Sequence, residues 1–475
     1  MDTKQKLFVF LLIFASFSAS KAFADDSTTT ATSTLPTIAT TTAALLTATT
    51  TTGSVLGLTT PSVPPIIAAI NSAKAQLAGV SLNHQLLPVY KKNTKKLLRY
   101  NLGDKDIALA ILDPSTNNTI ITMGRLSGKS MVFPDPAVNV KLTSFNGVNS
   151  KFQVNMPAGG IVVALKYLIS GTASGSKAAI EKGLSQVVYV PSSPALGSPD
   201  VIAYGQTYLD SVIAKVVKDL YGLPSQAVAG ETITEAIPPA MIKSLIYAEH
   251  TDTGQVLNGN AQDALNSLNI IFATNQGDAY KYSVSNDGYS SRGIAQFLSG
   301  TYLGLVQRHP EAFLNPDYIA GMQDHENSIK AMYLLLDDDA GAVRAEAPNN
   351  FVASRAFEYG AASYNAGSAR VVKAVKTFGD NWNQDRSGQV NALQAQVSSF
   401  TSQVKSLKAQ IKKASAKIKS SLQSQLATAQ ANLSSASTQL SQIKTGTLTN
   451  TTINYLSKIY KVVPFFNQQQ LAMNQ

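Results

Sequence analysis

The sequence predicts an α+β protein: a small α/β unit, then a larger, mainly helical unit carrying an inserted antiparallel coiled-coil hairpin. Three patterns predict it. Short β-rich runs separated by turn residues fill the first unit. A proline-led apolar helix opens the second. Near the C-terminus, apolar residues recur with alternating three- and four-residue spacing.

Before these elements come two segments of different character. Lys4 and Lys6 precede an apolar run from Leu7 to Phe17, and Ala22-Phe23-Ala24 then offers a small-x-small cleavage site. Residues 1–24 therefore read as a secretory signal peptide, which predicts a periplasmic or secreted protein. The next stretch, 25–78, is Thr/Ala-rich and has no charged residue between Asp26 and Lys74. It reads as a low-complexity linker or an interaction segment.

From 79 to 190 the pattern is that of a small accessory domain. Ile107–Leu112 and Thr119–Met123 are β-rich runs flanking Asp113-Pro114-Ser115-Thr116-Asn117-Asn118, a turn cluster. Phe152–Asn155 is a further strand, and Ile161–Leu165 reads as a strand or as the start of a helix. The span 191–236 reads as a Pro/Ser/Gly linker followed by a helix over Val201–Leu220.

The composition narrows the function. With 475 residues, 44% of them hydrophobic, the chain can bury a sizeable core, and no run is long enough to span a bilayer as a helix. Cysteine is absent, which excludes disulfides, thiolate metal sites and cysteine nucleophiles. The formal net charge is +10, yet Ser387–Gln475 contains nine lysines and no acidic residue. The positive field is thus local and suits an acidic partner. No nucleic-acid module accompanies the lysines, so nucleic acid is not expected as a partner.

Those lysines decorate the clearest periodicity in the chain. Val390, Leu393, Val397, Phe400, Val404, Leu407, Ile411, Ala414 and Ile418 make one seam; Leu422, Leu426, Ala429, Leu433, Ala436, Leu440 and Ile443 make a second. The polar stretch Lys412–Ser421 lies between them. Two readings follow: a helical hairpin over 389–445 with a basic tip, or one straight helix about 80 Å long.

Chemistry is suggested by an acid on an apolar face. Pro238-Pro239 starts a helix whose stripe is Ile242, Leu245 and Ile246, and Glu249 falls on that stripe. A carboxyl losing solvation there has a raised pKa, as a general acid near neutral pH requires. Three more segments follow: Ser290-Ser291-Arg292-Gly293-Ile294-Ala295-Gln296-Phe297, then Asp324-His325-Glu326-Asn327-Ser328-Ile329 running on to Leu334, then Tyr359-Gly360-Ala361-Ala362-Ser363-Tyr364-Asn365-Ala366-Gly367.

In this order they resemble the catalytic domain of the SLT-type lytic transglycosylases, a lysozyme-like fold that cleaves peptidoglycan. The resemblance covers about Ile237–Asn383. Beyond the periodic segment, Thr452-Ile453-Asn454-Tyr455-Leu456-Ser457-Lys458-Ile459 looks like that family's closing helix. The lysozyme-like domain would then be 237–475 with the hairpin inserted, because only a hairpin returns Tyr455 to the rest.

The resemblance implies a role for each matching residue. Glu249 would be the catalytic acid and then base. Gln296 would hydrogen-bond the sugar, Tyr364 and Asn365 would shape the cleft, and Tyr455 would orient Glu249. The implied substrate is the peptidoglycan glycan strand, and no metal or other cofactor is implied. The family usually has Ser after its Glu; here stands His250, which predicts a bond to the carboxyl or, if protonated, a lowered carboxyl pKa. Ala331 and Leu334 also depart from the usual Gly and Tyr, and the span between Glu249 and Gly293 reads as polar and long.

Other clusters carry little. Asp337-Asp338-Asp339 lacks the alternating spacing of a calcium loop and reads as a solvated helix end. His309 and His325 read as isolated. A second functional class stays open: a non-catalytic structural component of a type IV (Dot/Icm-like) secretion channel. Its partners would be envelope or secretion-system proteins met through the hairpin or the Thr-rich segment.

Overall fold

The computed structural model of the chain describes residues 62–127, 130–170, 174–285 and 290–473, with side chains as far as Phe466 at the C-terminal end. Residues 1–24, expected to be a signal peptide, and residues 25–61 of the Thr-rich stretch lie outside the described residues. No described helix is long and apolar enough to cross a membrane.

The protein is α+β. Among the described residues there are nine strands: β1 (His84–Tyr90), β2 (Leu97–Asp113), β3 (Asn118–Ser127), β4 (Ser130–Val132), β5 (Asn139–Ser144), β6 (Lys151–Met156), β7 (Ile161–Ser170), β8 (Ser174–Gly175) and β9 (Leu184–Tyr189). The main sheet runs β4-β3-β2-β7-β9, with β1 and β8 also on β2, and β5 pairs with β6. Every named pair is antiparallel. The expected α/β unit is therefore corrected: the four-residue link between β2 and β3 turns the chain straight back, whereas a parallel pair needs a long crossover. Ile161–Leu165, left open above, is strand.

The centre of β2 is buried on both faces, which is why it reads as a continuous apolar run. Ile107, Leu109 and Ile111 point into the main core, and Ala108, Ala110 and Leu112 face helix α1 (Pro65–Ala78). That helix corrects the expected boundary at 79. Ile67, Ile70, Ala73 and Leu77 are buried along one side of it, so the uncharged stretch ends in a structural helix.

Helix α2 (Lys177–Gly183) lies between β8 and β9, and after β9 follow α3 (Pro199–Asp219), α4 (Ile233–Ala236), α5 (Pro239–His250), α6 (Thr253–Asn258), α7 (Ala261–Asn275), α8 (Ser299–Arg308), α9 (Tyr318–Gln323), α10 (His325–Glu346), α11 (Ala356–Ala366) and α12 (Ser368–Phe378). The span read as polar after Glu249 holds α7, which buries Leu265, Leu268, Ile271 and Phe272. Asn275 at its end pairs with the Val190 backbone, accepting from the N–H at 2.8 Å and donating to the carbonyl at 3.0 Å. The sheet is thereby fixed to the helices.

Helices α3 and α7 approach closely because Gly205 has no side chain. A Cβ there would lie 1.9 Å from the Asn269 carbonyl oxygen, which is backbone and cannot swing away. Gly205→Ala is expected to cost about 3 kcal/mol, the upper range for overpacking, and to lower the thermal midpoint in calorimetry.

The chain ends with α13 (Ser387–Lys413), α14 (Ala416–Gly446) and α15 (Asn450–Met473). The single straight helix is excluded: the chain breaks helix at Ala414–Ser415, and α13 and α14 pack along each other. Leu393, Val404, Ala429 and Ala436 are buried between them. Gly446 returns to α12, against Thr377, so α15 rejoins the body and packs on α5.

Candidate functional site

Helix α5 is built to end at the acid. Pro239 occupies its first turn, where a missing N–H costs nothing, and Ile242, Leu245 and Ile246 are fully buried. Glu249 is the penultimate residue, half-buried and crowded by α15. Tyr455 donates its hydroxyl proton to Glu249 Oε1. Burial raises the Glu249 pKa above the ordinary carboxyl value; the Tyr455 bond and the nearby Lys458 charge oppose it without reversing the direction.

Thr452, Tyr455 and Lys458 stand three residues apart on α15 and so share a face. Each grips a different part of the site. Thr452 Oγ1 donates to Asn365 Oδ1 at 2.9 Å. The Lys458 ammonium, almost fully buried, donates to the Ala248 and Thr251 carbonyls at the end of α5. A cation there satisfies carbonyls that the helix leaves open and suits the negative end of its dipole.

Facing α5 is the loop Ser290–Phe297, closed on itself by paired backbone bonds between Arg292 and Phe297 at 3.0 and 3.2 Å. Gly293 has φ +72°, and a Cβ would sit 2.3 Å from the Met322 carbonyl oxygen, so this glycine serves both a turn and a close approach. Three side chains hold carbonyls of this loop. His250 Nε2 donates to Ile294 at 2.7 Å, the Tyr364 hydroxyl to Ala295, and the Tyr318 hydroxyl to Phe297 at 2.7 Å.

The expectation for His250 is thus corrected. Its ring bonds the loop instead of the Glu249 carboxyl, lies stacked on Tyr280 at 3.7 Å, and is pushed down to about 4 by burial. It is neutral at neutral pH and leaves the acid alone. A depressed folded pKa means full stability above the ordinary 6.5, lost as pH falls toward 4. His250→Gln, which keeps a donor for Ile294 but cannot titrate, is expected to lose less thermal stability than the native chain between neutral and mildly acidic pH.

The remaining expected site residues are placed as follows. Tyr364 lies within reach of the Glu249 charge, which helps push its phenol pKa up after burial, and its ring meets Phe297 edge-on at 5.7 Å. Asn365 is exposed and tied to α15 through Thr452. Gln296, at φ +51°, turns its amide onto its own loop: Oε1 accepts from Ser291 at 3.0 Å and Nε2 donates to Gly293 at 2.7 Å. One amide proton and one lone pair are left for a ligand.

Asp337-Asp338-Asp339 is no solvated helix end; it sits inside α10. Asp337 is buried and accepts from the Gln226 N–H at 2.7 Å, and Asp338 pairs with Arg308 at 2.8 Å and His309 at 2.9 Å. Asp339, bonded by Ser368, is raised by burial to about 7. His309 is likewise not isolated, and His325 bridges Tyr208 at 2.9 Å and the Ala279 carbonyl at 2.7 Å. Among the described residues no three His, Asp or Glu side chains gather as metal ligands.

No family model, curated protein or solved structure matches this chain. The functional reading therefore stands on this geometry. Sequence reasoning missed Lys458 and His250 as positioning residues, although both lie inside or beside quoted motifs. A buried cation three residues after the tyrosine was the available signal for Lys458; nothing pointed to the Ile294 carbonyl.

Proposed function

We propose that the chain is a periplasmic lytic transglycosylase that opens peptidoglycan, with an antiparallel coiled-coil hairpin inserted in a lysozyme-like domain and the sheet unit as accessory. The observation that carries this reading is the carboxyl of Glu249, half-buried, its pKa raised by burial, and bonded by a tyrosine from 206 residues further on.

The chemistry needs one carboxyl. Glu249 donates its proton to the glycosidic oxygen as the C1–O bond breaks. The sugar's own 6-hydroxyl oxygen attacks C1, and its proton passes to the Glu249 carboxylate, which restores the acid. The product is a 1,6-anhydro sugar, and no water is consumed. This is a substrate-assisted departure from the usual pair of carboxylates. Serving an envelope-spanning machine by local opening of the wall fits the accessory parts.

A second reading, a non-catalytic component of a type IV secretion channel, draws on Gln296, whose amide is largely engaged within its own loop. Incubating the full chain with murein sacculi separates the two. Release of soluble anhydro-muropeptides supports catalysis; intact sacculi across an acid-to-alkaline series support the structural role.

A further inference from the structure

We propose that the β1–β2 ribbon docks the protein onto an anionic bilayer through its tip. The first half of β2 pairs with β1, and β8 joins only at Tyr100 and Asn101, so among the described residues the ribbon from Tyr90 to Arg99 has no third strand. Its turn is ordered: the Lys91 N–H donates to the Lys96 carbonyl at 2.9 Å and the Thr94 N–H to Lys91 at 3.0 Å. Lys91, Lys92, Lys95, Lys96 and Arg99 are all exposed and belong to no ion pair among the described residues. No acidic residue occurs between Ser81 and Gly103.

Lysines on a free strand edge also serve to prevent aggregation. That role does not account for four large apolar side chains left in the open beside them: Leu87 at 42%, Tyr90 at 53%, Leu97 at 42% and Leu98 at 58% exposure. Leu87 and Tyr90 are three apart on a strand without an extra residue, so they leave the ribbon on opposite faces. A folded acidic protein would cover one face and leave the other wet. A second copy would bring like charges together. A bilayer interface takes both faces at once, with Tyr at head-group depth, Leu below it and lysines on anionic phosphates.

The test uses the full chain with vesicles of phosphatidylglycerol and phosphatidylethanolamine, and of phosphatidylcholine alone. Co-sedimentation is expected with the first, weakened by salt, and not with the second. Replacing Lys91, Lys92, Lys95 and Lys96 by Gln is expected to weaken binding about a hundredfold or more, given about fivefold per lysine. Leu98→Trp supplies a reporter, because the chain's one tryptophan, Trp382, is buried; its emission should shift to the blue on anionic vesicles. Tyr90→Ser combined with Leu98→Ser should weaken binding while leaving the thermal midpoint unchanged. The proposal is overturned if the chain ignores anionic vesicles at low salt, if it binds phosphatidylcholine equally, or if neither ribbon variant changes binding. It is also overturned if binding is lost instead on replacing Lys412, Lys413, Lys417 and Lys419 at the far end of the α13–α14 pair. None of these outcomes depends on glycan cleavage.

Discussion

Glu249→Gln is expected to abolish release of anhydro-muropeptides, lowering turnover by about a thousandfold, within the usual range for loss of a general acid. Glutamine fills the same space and still accepts from Tyr455, so the loss reports the proton and not the fold. The same variant is expected to be more stable than the native chain at neutral pH. The folded pKa of Glu249 is raised above its ordinary 4.5. Its stabilisation is therefore fully present below that value and is lost as pH rises through the folded pKa. Above it the protein must either hold a desolvated carboxylate or take up a proton on folding, and glutamine does neither. Thermal midpoints of the two proteins should converge in acid and separate toward neutral pH. An active Glu249→Gln protein would sink the acid assignment; a variant less stable at every pH would mean that the carboxyl serves packing.

The same signs predict how the proposed activity would respond to pH. Turnover should fall as pH climbs past the raised pKa of Glu249, because the glycosidic oxygen then meets a carboxylate with no proton to give. His250 adds no limb of its own near neutrality, since its ring is already uncharged there and faces the Ile294 carbonyl.

Periodic features were legible from sequence wherever burial repeats. The two seams of the α13–α14 pair emerge with nearly every expected position shielded, and Ile418, at the turn, is the exception at 52% exposure. Glu249 was legible because three apolar residues defined the face it shares. Helix α1 was hidden by its setting: its buried positions repeat at three and four residues, but the uncharged stretch before it offers no polar face to contrast with them. Helix α7 was hidden for the opposite reason, as Gln262, Asp263 and Asn266 at its start masked the apolar residues behind them. The sign of the sheet was a matter of connection length, and the role of His250 depends on a backbone carbonyl 44 residues away, which no side-chain pattern encodes.

Lys458→Met is expected to have the largest effect on stability of any single change near the site. The side chain is buried, and methionine keeps most of its bulk while removing both donors to the Ala248 and Thr251 carbonyls. Those carbonyls sit at the end of α5 with no alternative donor inside the helix, so the cost should be about 2–4 kcal/mol, measurable as a lower denaturant midpoint at unchanged slope. A purely structural lysine would stop there. Lys458 also supplies a positive charge that holds the Glu249 pKa down, and α15 carries both that charge and the tyrosine bonded to the acid. Removing the charge should push the Glu249 pKa further up, so the alkaline limb of the cleavage profile should move to higher pH even as the protein weakens. Destabilisation with an unmoved limb would reduce Lys458 to a helix cap. A moved limb would show that α15 helps to set the proton affinity of an acid more than 200 residues earlier in the chain.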